Sequence, residues 1–234
     1  MKHLHSPRGG PPTFGLLASL LTIGSALATS IPTGQLFVDR TVVRVGSRSQ
    51  LNWNIQYPVS PVGVDLIPTR SVKMSVRTLG AAFQSGSTLL PLEGSWTKNT
   101  AAWSTFFRGT APTVVPTKVL VETTVAKGDK IKFRARGGSN ARGTSWYAYH
   151  QTNNSDPYAV VLKNGDRPPS YAPAYNQGTV KSFLTPYLDS TGKIKIGPDD
   201  LIILWEASEA SPGSTYFDMQ DLVVLVSFET TTTP

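Results

Sequence analysis

Leu51, Trp53, Ile55 and Tyr57 alternate with Asn52, Asn54 and Gln56. A period of two puts the rings and aliphatic groups on one face and the amides on the other, which predicts a strand with one wet side. The same alternation runs through 71–79, where Val72, Met74 and Val76 share a face against Lys73, Ser75 and Arg77. It recurs at 130–136, where Ile131, Phe133 and Ala135 oppose Lys130, Lys132, Arg134 and Arg136. Further strands are expected over 36–45, 119–125 and 158–162, with short aromatic segments between 94 and 107. Two runs near the C-terminus, 201–205 (LIILW) and 222–228 (LVVLVSF), abandon the alternation. Each is too short to span a bilayer and rich in Ile, Val and Leu, so each reads as a strand buried on both faces of a central hairpin. One helix is expected near 179–186, where Val180, Phe183, Leu184 and Tyr187 follow the helical period and Pro186 limits the length. Residues 80–90 and 137–154 read as loops.

Roughly ten short strands, regular turn signals and one short helix define an all-β chain. Strands do not alternate with long helices, which disfavours parallel α/β folds. The expected architecture is an antiparallel two-layer β-sandwich, jelly-roll-like, as a single domain over 29–229 with a polar tail at 230–234.

Residues 1–28 stand apart. Lys2 and Arg8 precede an apolar stretch at 14–28 that ends in Ala26-Leu27-Ala28, a pattern expected of a cleaved export signal; an uncleaved membrane anchor is the alternative. Two of the 22 Lys and Arg, and none of the 15 Asp and Glu, fall in this segment, so the remainder carries +5. Export makes nucleic acid an unexpected partner for that charge, and points to a secreted or cell-surface location. Cysteine is absent, which excludes thiol catalysis, thiolate zinc and iron–sulfur centres. Only His150 remains after residue 28, and there is no G-x-S-x-G, phosphate-binding glycine loop or H-E-x-x-H. Non-catalytic function is therefore expected, with a carboxylate-based glycosidase as the enzymatic alternative.

Three clusters carry candidate chemistry. Asp199, Asp200, Glu206, Asp218 and Asp221, with Glu209, crowd the ends of the two apolar strands. Calcium takes six to eight oxygens from such groups, and strand-end acids also occur as solvated charges or turn caps. On a flat strand Asp218 and Asp221 point to opposite sides, so a shared site requires a bend or bulge between them. Lys130, Lys132, Arg134 and Arg136, with Arg142 just beyond, form a positive ridge that fits a polyanion, or an ordinary solvated strand face. Trp146, Tyr147, Tyr149 and His150, with Asn154 and Asp156, have the mixture of flat rings, amides and acids that stacks on and hydrogen-bonds a sugar. The same rings would also serve to close the end of a sandwich.

The segment V-A-K-G-D-K-I-K-F-R-A-R-G (125–137) resembles a strand of secreted bacterial β-sandwich modules, among them calcium-dependent galactose-binding lectins and related carbohydrate-binding domains. The ending F-D-M-Q-D-L-V-V-L-V (217–226) is similar to the acidic approach to the last strand in calcium-binding exported domains. The resemblance implies an exported jelly-roll module that binds calcium and glycan, although no single final loop carries the Asn and Asp cluster of those lectins. The expected function is structural or adhesive, in an envelope or extracellular matrix. Calcium-assisted glycan binding and self-association into a shell or filament stand as alternatives.

Overall fold

A computed structural model describes residues 65–152 and 157–230, together with two strands before them. The segment 1–28, most of the strand expected at 36–45, and Asn154 and Asp156 lie outside the described residues. The two early strands are β1 (Thr33–Phe37) and β2 (Asn52–Gln56), which pair antiparallel. Then follow β3 (Val72–Ala81), a small hairpin of β4 (Gln84–Ser85) and β5 (Thr88–Leu89), β6 (Leu92–Lys98) and β7 (Ser104–Gly109). The chain continues through β8 (Val121–Val125), β9 (Ile131–Gly137), β10 (His150–Gln151) and β11 (Ala159–Leu162). Helix α1 (Val180–Leu184), β12 (Leu201–Trp205) and β13 (Leu222–Thr230) complete it.

Two antiparallel sheets form the body. One has the order β10-β9-β6-β7 and the other β11-β12-β13-β3-β8. Their facing sides close on one core. Phe133, Ile131 and Leu92 come from the first sheet; Met74, Val76, Trp205, Leu222 and Val224 come from the second. The all-β sandwich expected from the sequence is present; this strand order does not by itself establish jelly-roll connectivity.

The five-stranded sheet also buries its other side. Ile202, Leu204, Val223 and Leu225 pack there against Val180 and Leu184 of α1 and against Ile194. This third layer is why β12 and β13 show no alternation: both faces are dry, so consecutive positions are apolar. Gly80 lets the helix approach, because a Cβ at that position would lie 2.3 Å from the Phe183 ring. The helix itself starts on a complete capping box between Thr179 and Ser182. At Pro186 it tightens into a 3-10 turn (Thr185–Tyr187).

The expected loop at 80–90 is instead the end of β3 and the β4–β5 hairpin. A register shift opposite Val223 and Val224 inserts Leu79 as an extra residue in β3. The bulge switches which positions face the main core, from Met74 and Val76 to Ala81. That switch interrupts the alternation by which a strand is read.

Candidate functional site

Strands β12 and β13 pair with Trp205 opposite Leu222. The next residues outward, Glu206 and Asp221, are the first and last of the connection 206–221, so they meet across the open end of the hairpin. The connection returns Asp218 to the same place. Met219 adopts φ +59, a left-handed backbone that an unbranched side chain enters only at a cost of about 1 kcal/mol or more. This is the bend that the sequence requires if Asp218 and Asp221 are to face one point. Met219 itself is fully buried in the outer apolar layer, which holds the strained turn in place.

The three carboxylates offer oxygens all within 4.8 Å of one another. Glu206, Asp218 and Asp221 are 1 %, 1 % and 4 % exposed. Backbone N–H groups hold them: Ala207 donates to Asp221 Oδ2 at 2.7 Å, Asp218 to Glu206 Oε2 at 3.0 Å, and Ala174 to Asp218 Oδ2 at 2.9 Å. The Ser208 hydroxyl donates to Glu206 Oε1 in a short bond. The carboxamides of Gln220 and Gln177 donate to Asp218 Oδ2 at 2.9 and 3.3 Å. Against these donors, Asp218 Oδ1, Gln220 Oε1 and Gln177 Oε1 are buried with no donor among the described residues. Among the described residues no ion pair reaches any of the three acids.

Burial, with the charge of Glu206 beside it, pushes the Asp218 carboxyl up to about 6. The Asp221 carboxyl is driven well above the usual range by burial first, then by Glu206 and Asp218. Buried like charges are costly without a cation, and Asp218 and Asp221 answer by holding their protons to higher pH. A calcium ion with ligands at about 2.3–2.6 Å spans oxygens up to roughly 5 Å apart, so the three oxygens fit around one ion. The free oxygens of Gln220 and Gln177 are of the donor type such an ion takes. The acids line a cleft of about 400 Å³ whose walls include Phe83, Tyr147, Tyr175 and Tyr216. Tyr216 is exposed and its ring lies 6.0 Å from that of Tyr175. Gly137 borders the same region: a Cβ there would meet the Phe83 ring at 2.2 Å and the Ala207 carbonyl at 2.9 Å.

The other two acids of the expected cation set lie elsewhere. Asp199 is exposed and pairs with Arg70 at 3.1 Å. Asp200 caps the chain, accepting from Gly197 N and Phe228 N, both at 3.2 Å. The reason is strand length. Asp200 precedes β12 and Glu206 follows it, and a five-residue strand separates its ends by about 17 Å. Glu209 is exposed on the cleft lining.

The positive ridge and half of the aromatic loop turn out to be one structure. On the outer side of the four-stranded sheet, Arg134 lies over Trp103 at 4.2 Å and over Tyr149 at 3.6 Å. Arg136 lies over Tyr149 at 4.2 Å and over Trp146 at 4.7 Å, and Arg108 over Trp146 at 5.1 Å. Residues two apart on a strand are separated by about 6.7 Å, twice the thickness of a ring, so a cation repeat of two accepts a ring between its members. One acid, Glu93, anchors the stack. It accepts from the Tyr149 hydroxyl in a short bond and from Arg136 at 3.3 Å, and pairs with Arg108 at 3.8 Å. Lys132 pairs with Asp65 at 3.9 Å, while Lys130 and Arg142 are exposed.

The rest of the loop turns inward. Tyr147 packs edge-on against Phe83 at the cleft. His150 is buried, stacked on Tyr158 at 4.2 Å, with Nε2 3.0 Å from the Ser208 carbonyl. The sequence reading missed Gln220, Gln177, Tyr175 and Tyr216 in the cleft, and Glu93, Trp103 and Arg108 in the stack. Gln220 had a signal, standing two residues from Asp218 on the approach to β13; the others join only through tertiary contact. Compared with protein-family models, curated proteins and solved structures, the chain matches none.

Proposed function

We propose that the protein is an exported, non-catalytic β-sandwich whose acidic cleft takes a divalent cation, calcium by the hardness of its oxygen donors, and through it a polyhydroxylated ligand such as a glycan. An adhesive role at a cell surface or in a matrix follows from such binding. One observation carries the reading: Glu206, Asp218 and Asp221 converge in a buried site where, among the described residues, no cation pairs with them and Asp218 Oδ1 has no donor. The tyrosines beside the acids support a sugar as the ligand, since rings stack on pyranose faces while a cation binds adjacent hydroxyls.

The test is a thermal melt with excess calcium and then with EDTA. At a thousandfold excess over the dissociation constant, binding adds about 4 kcal/mol, or roughly ten degrees for a domain of this size. Asp221→Asn should remove the shift and keep the fold. A melt unmoved by calcium, magnesium or manganese overturns the cation site. A melt that rises instead with an organic amine would show that the acids bind ammonium groups. Turnover of any glycoside would overturn the non-catalytic part.

A further inference from the structure

The outer face of the four-stranded sheet is independent of the cleft and carries an excess of cations. Pairing sets Arg108, Glu93 and Arg136 in one row across β7, β6 and β9, with Ser95 and Arg134 in the next and Thr97 and Lys132 in the third. Two guanidiniums, those of Arg108 and Arg136, share one carboxylate, Glu93, whose side chain is only 7 % exposed. Lys132 has Asp65. Arg134 forms no ion pair among the described residues. The face therefore keeps a charge of +2, flanked by exposed Lys130 and Arg142.

The rings hold these guanidiniums in place. The Arg136 side chain stays 25 % exposed and that of Arg108 60 %, so part of each reaches solvent, although Nε of Arg134 and of Arg136 is buried. A guanidinium edge presents parallel N–H donors that match the two oxygens of a carboxylate or sulfate, and ring packing has already removed the side-chain freedom that such contacts would otherwise cost. The ring faces of Tyr149 and Trp146 are taken up by arginine, which leaves little platform for stacking nucleic-acid bases.

We propose that this face binds an acidic polysaccharide, with the edges of Arg108, Arg134 and Arg136 gripping its carboxylate or sulfate groups. The experiment is calorimetry in EDTA at physiological salt, with heparin as the sulfated probe and polygalacturonate as the carboxylate probe. A single-stranded oligonucleotide serves as the competing polyanion. Binding of either polysaccharide is expected, weakened roughly fivefold by Arg108→Gln and by Arg134→Gln. Arg134→Lys keeps the charge and loses the planar fork, and should weaken binding nearly as much as Arg134→Gln. Lys181→Gln, which removes a charge from α1 in the outer layer, should leave it unchanged. The proposal fails if neither polysaccharide binds, if Lys181→Gln weakens binding as much as Arg108→Gln, or if the oligonucleotide binds more tightly than both. Arg108→Gln carries the test if Arg134→Gln does not fold, because Arg108 is largely exposed.

Discussion

Two regions of this sandwich crowd like charges into little space, and they resolve the crowding in opposite ways. On the outer sheet face, three arginines are interleaved with Trp103, Tyr149 and Trp146, and two of them, Arg108 and Arg136, share Glu93. Each guanidinium meets a π face or an acid, so the positive charge is solvated by the protein itself. In the cleft, Glu206, Asp218 and Asp221 converge, and the donors that hold them among the described residues are N–H, amide and hydroxyl groups. Among the described residues no ion pair reaches them, and acceptor oxygens remain unused. The stack meets its charges with rings and one acid and keeps surplus charge at its rim, although Nε of Arg134 and of Arg136 is buried without an acceptor among the described residues. The cleft is complete only with protons or a cation inside it.

Removing a buried acid should therefore act with opposite sign in the two places, and the larger effect belongs to the stack. Glu93→Gln leaves Arg136 without its acid and the Tyr149 hydroxyl without its charged acceptor. A loss of about 3 kcal/mol is expected, lowering the melting temperature by roughly 6 to 12 degrees. A melt unchanged by Glu93→Gln would mean that the rings alone hold the arginines.

pH separates the regions next. Asp218 has an ordinary carboxyl value of 3.8 when unfolded and about 6 when folded. Between those values the folded state holds the extra proton, so this stabilisation is complete below 3.8 and is lost as pH rises through about 6. The difference corresponds to about 3 kcal/mol for Asp218 alone, and Asp221 acts in the same direction. Asp129 and Asp189, held below the usual range chiefly by the Asn99 side chain and the Lys193 backbone N–H respectively, act oppositely, and their contribution fades only toward pH 3.8 and below. Melts in EDTA should thus fall from pH 4.5 to pH 7.5, and calcium should abolish or reverse the fall by replacing the protons. A melt that rises over that range in EDTA would contradict the buried, uncompensated cluster.

How much of this could be read from the chain follows from the distance over which each signal acts. The hairpin of β12 and β13 was legible because burial on both faces writes itself into consecutive residues. The period-two cations were legible as a ridge, but not as a stack, because Trp103 and Tyr149 arrive from 31 residues before and 15 after Arg134. The acids were legible as a cluster but not as a site. Antiparallel pairing sends Glu206 to Asp221 and leaves Asp199 and Asp200 beside Phe228 at the far end of the strands. Counting acids near strand ends merges two ends that pairing keeps apart. The bend between Asp218 and Asp221 could be stated as a condition from side-chain alternation, while its realisation at Met219 depends on the packing that buries that side chain.

The smallest effect is also the one most specific to the cleft. Asp221→Asn replaces one of three crowded acids by a neutral amide and keeps an oxygen that can still accept from Ala207 N, so shape and that hydrogen bond survive. In EDTA at pH 7.5 the substitution should stabilise the protein by about 1 kcal/mol, because a buried acid crowded by Glu206 and Asp218 costs more than a neutral amide. With calcium the sign should invert, as the variant loses a ligand that the wild type offers. Only a region whose native charges await a counterion behaves in this way. If Asp221→Asn lowers the melting temperature in EDTA as Glu93→Gln does, the two regions are alike, and the acids of the cleft are satisfied by the hydrogen bonds they already make.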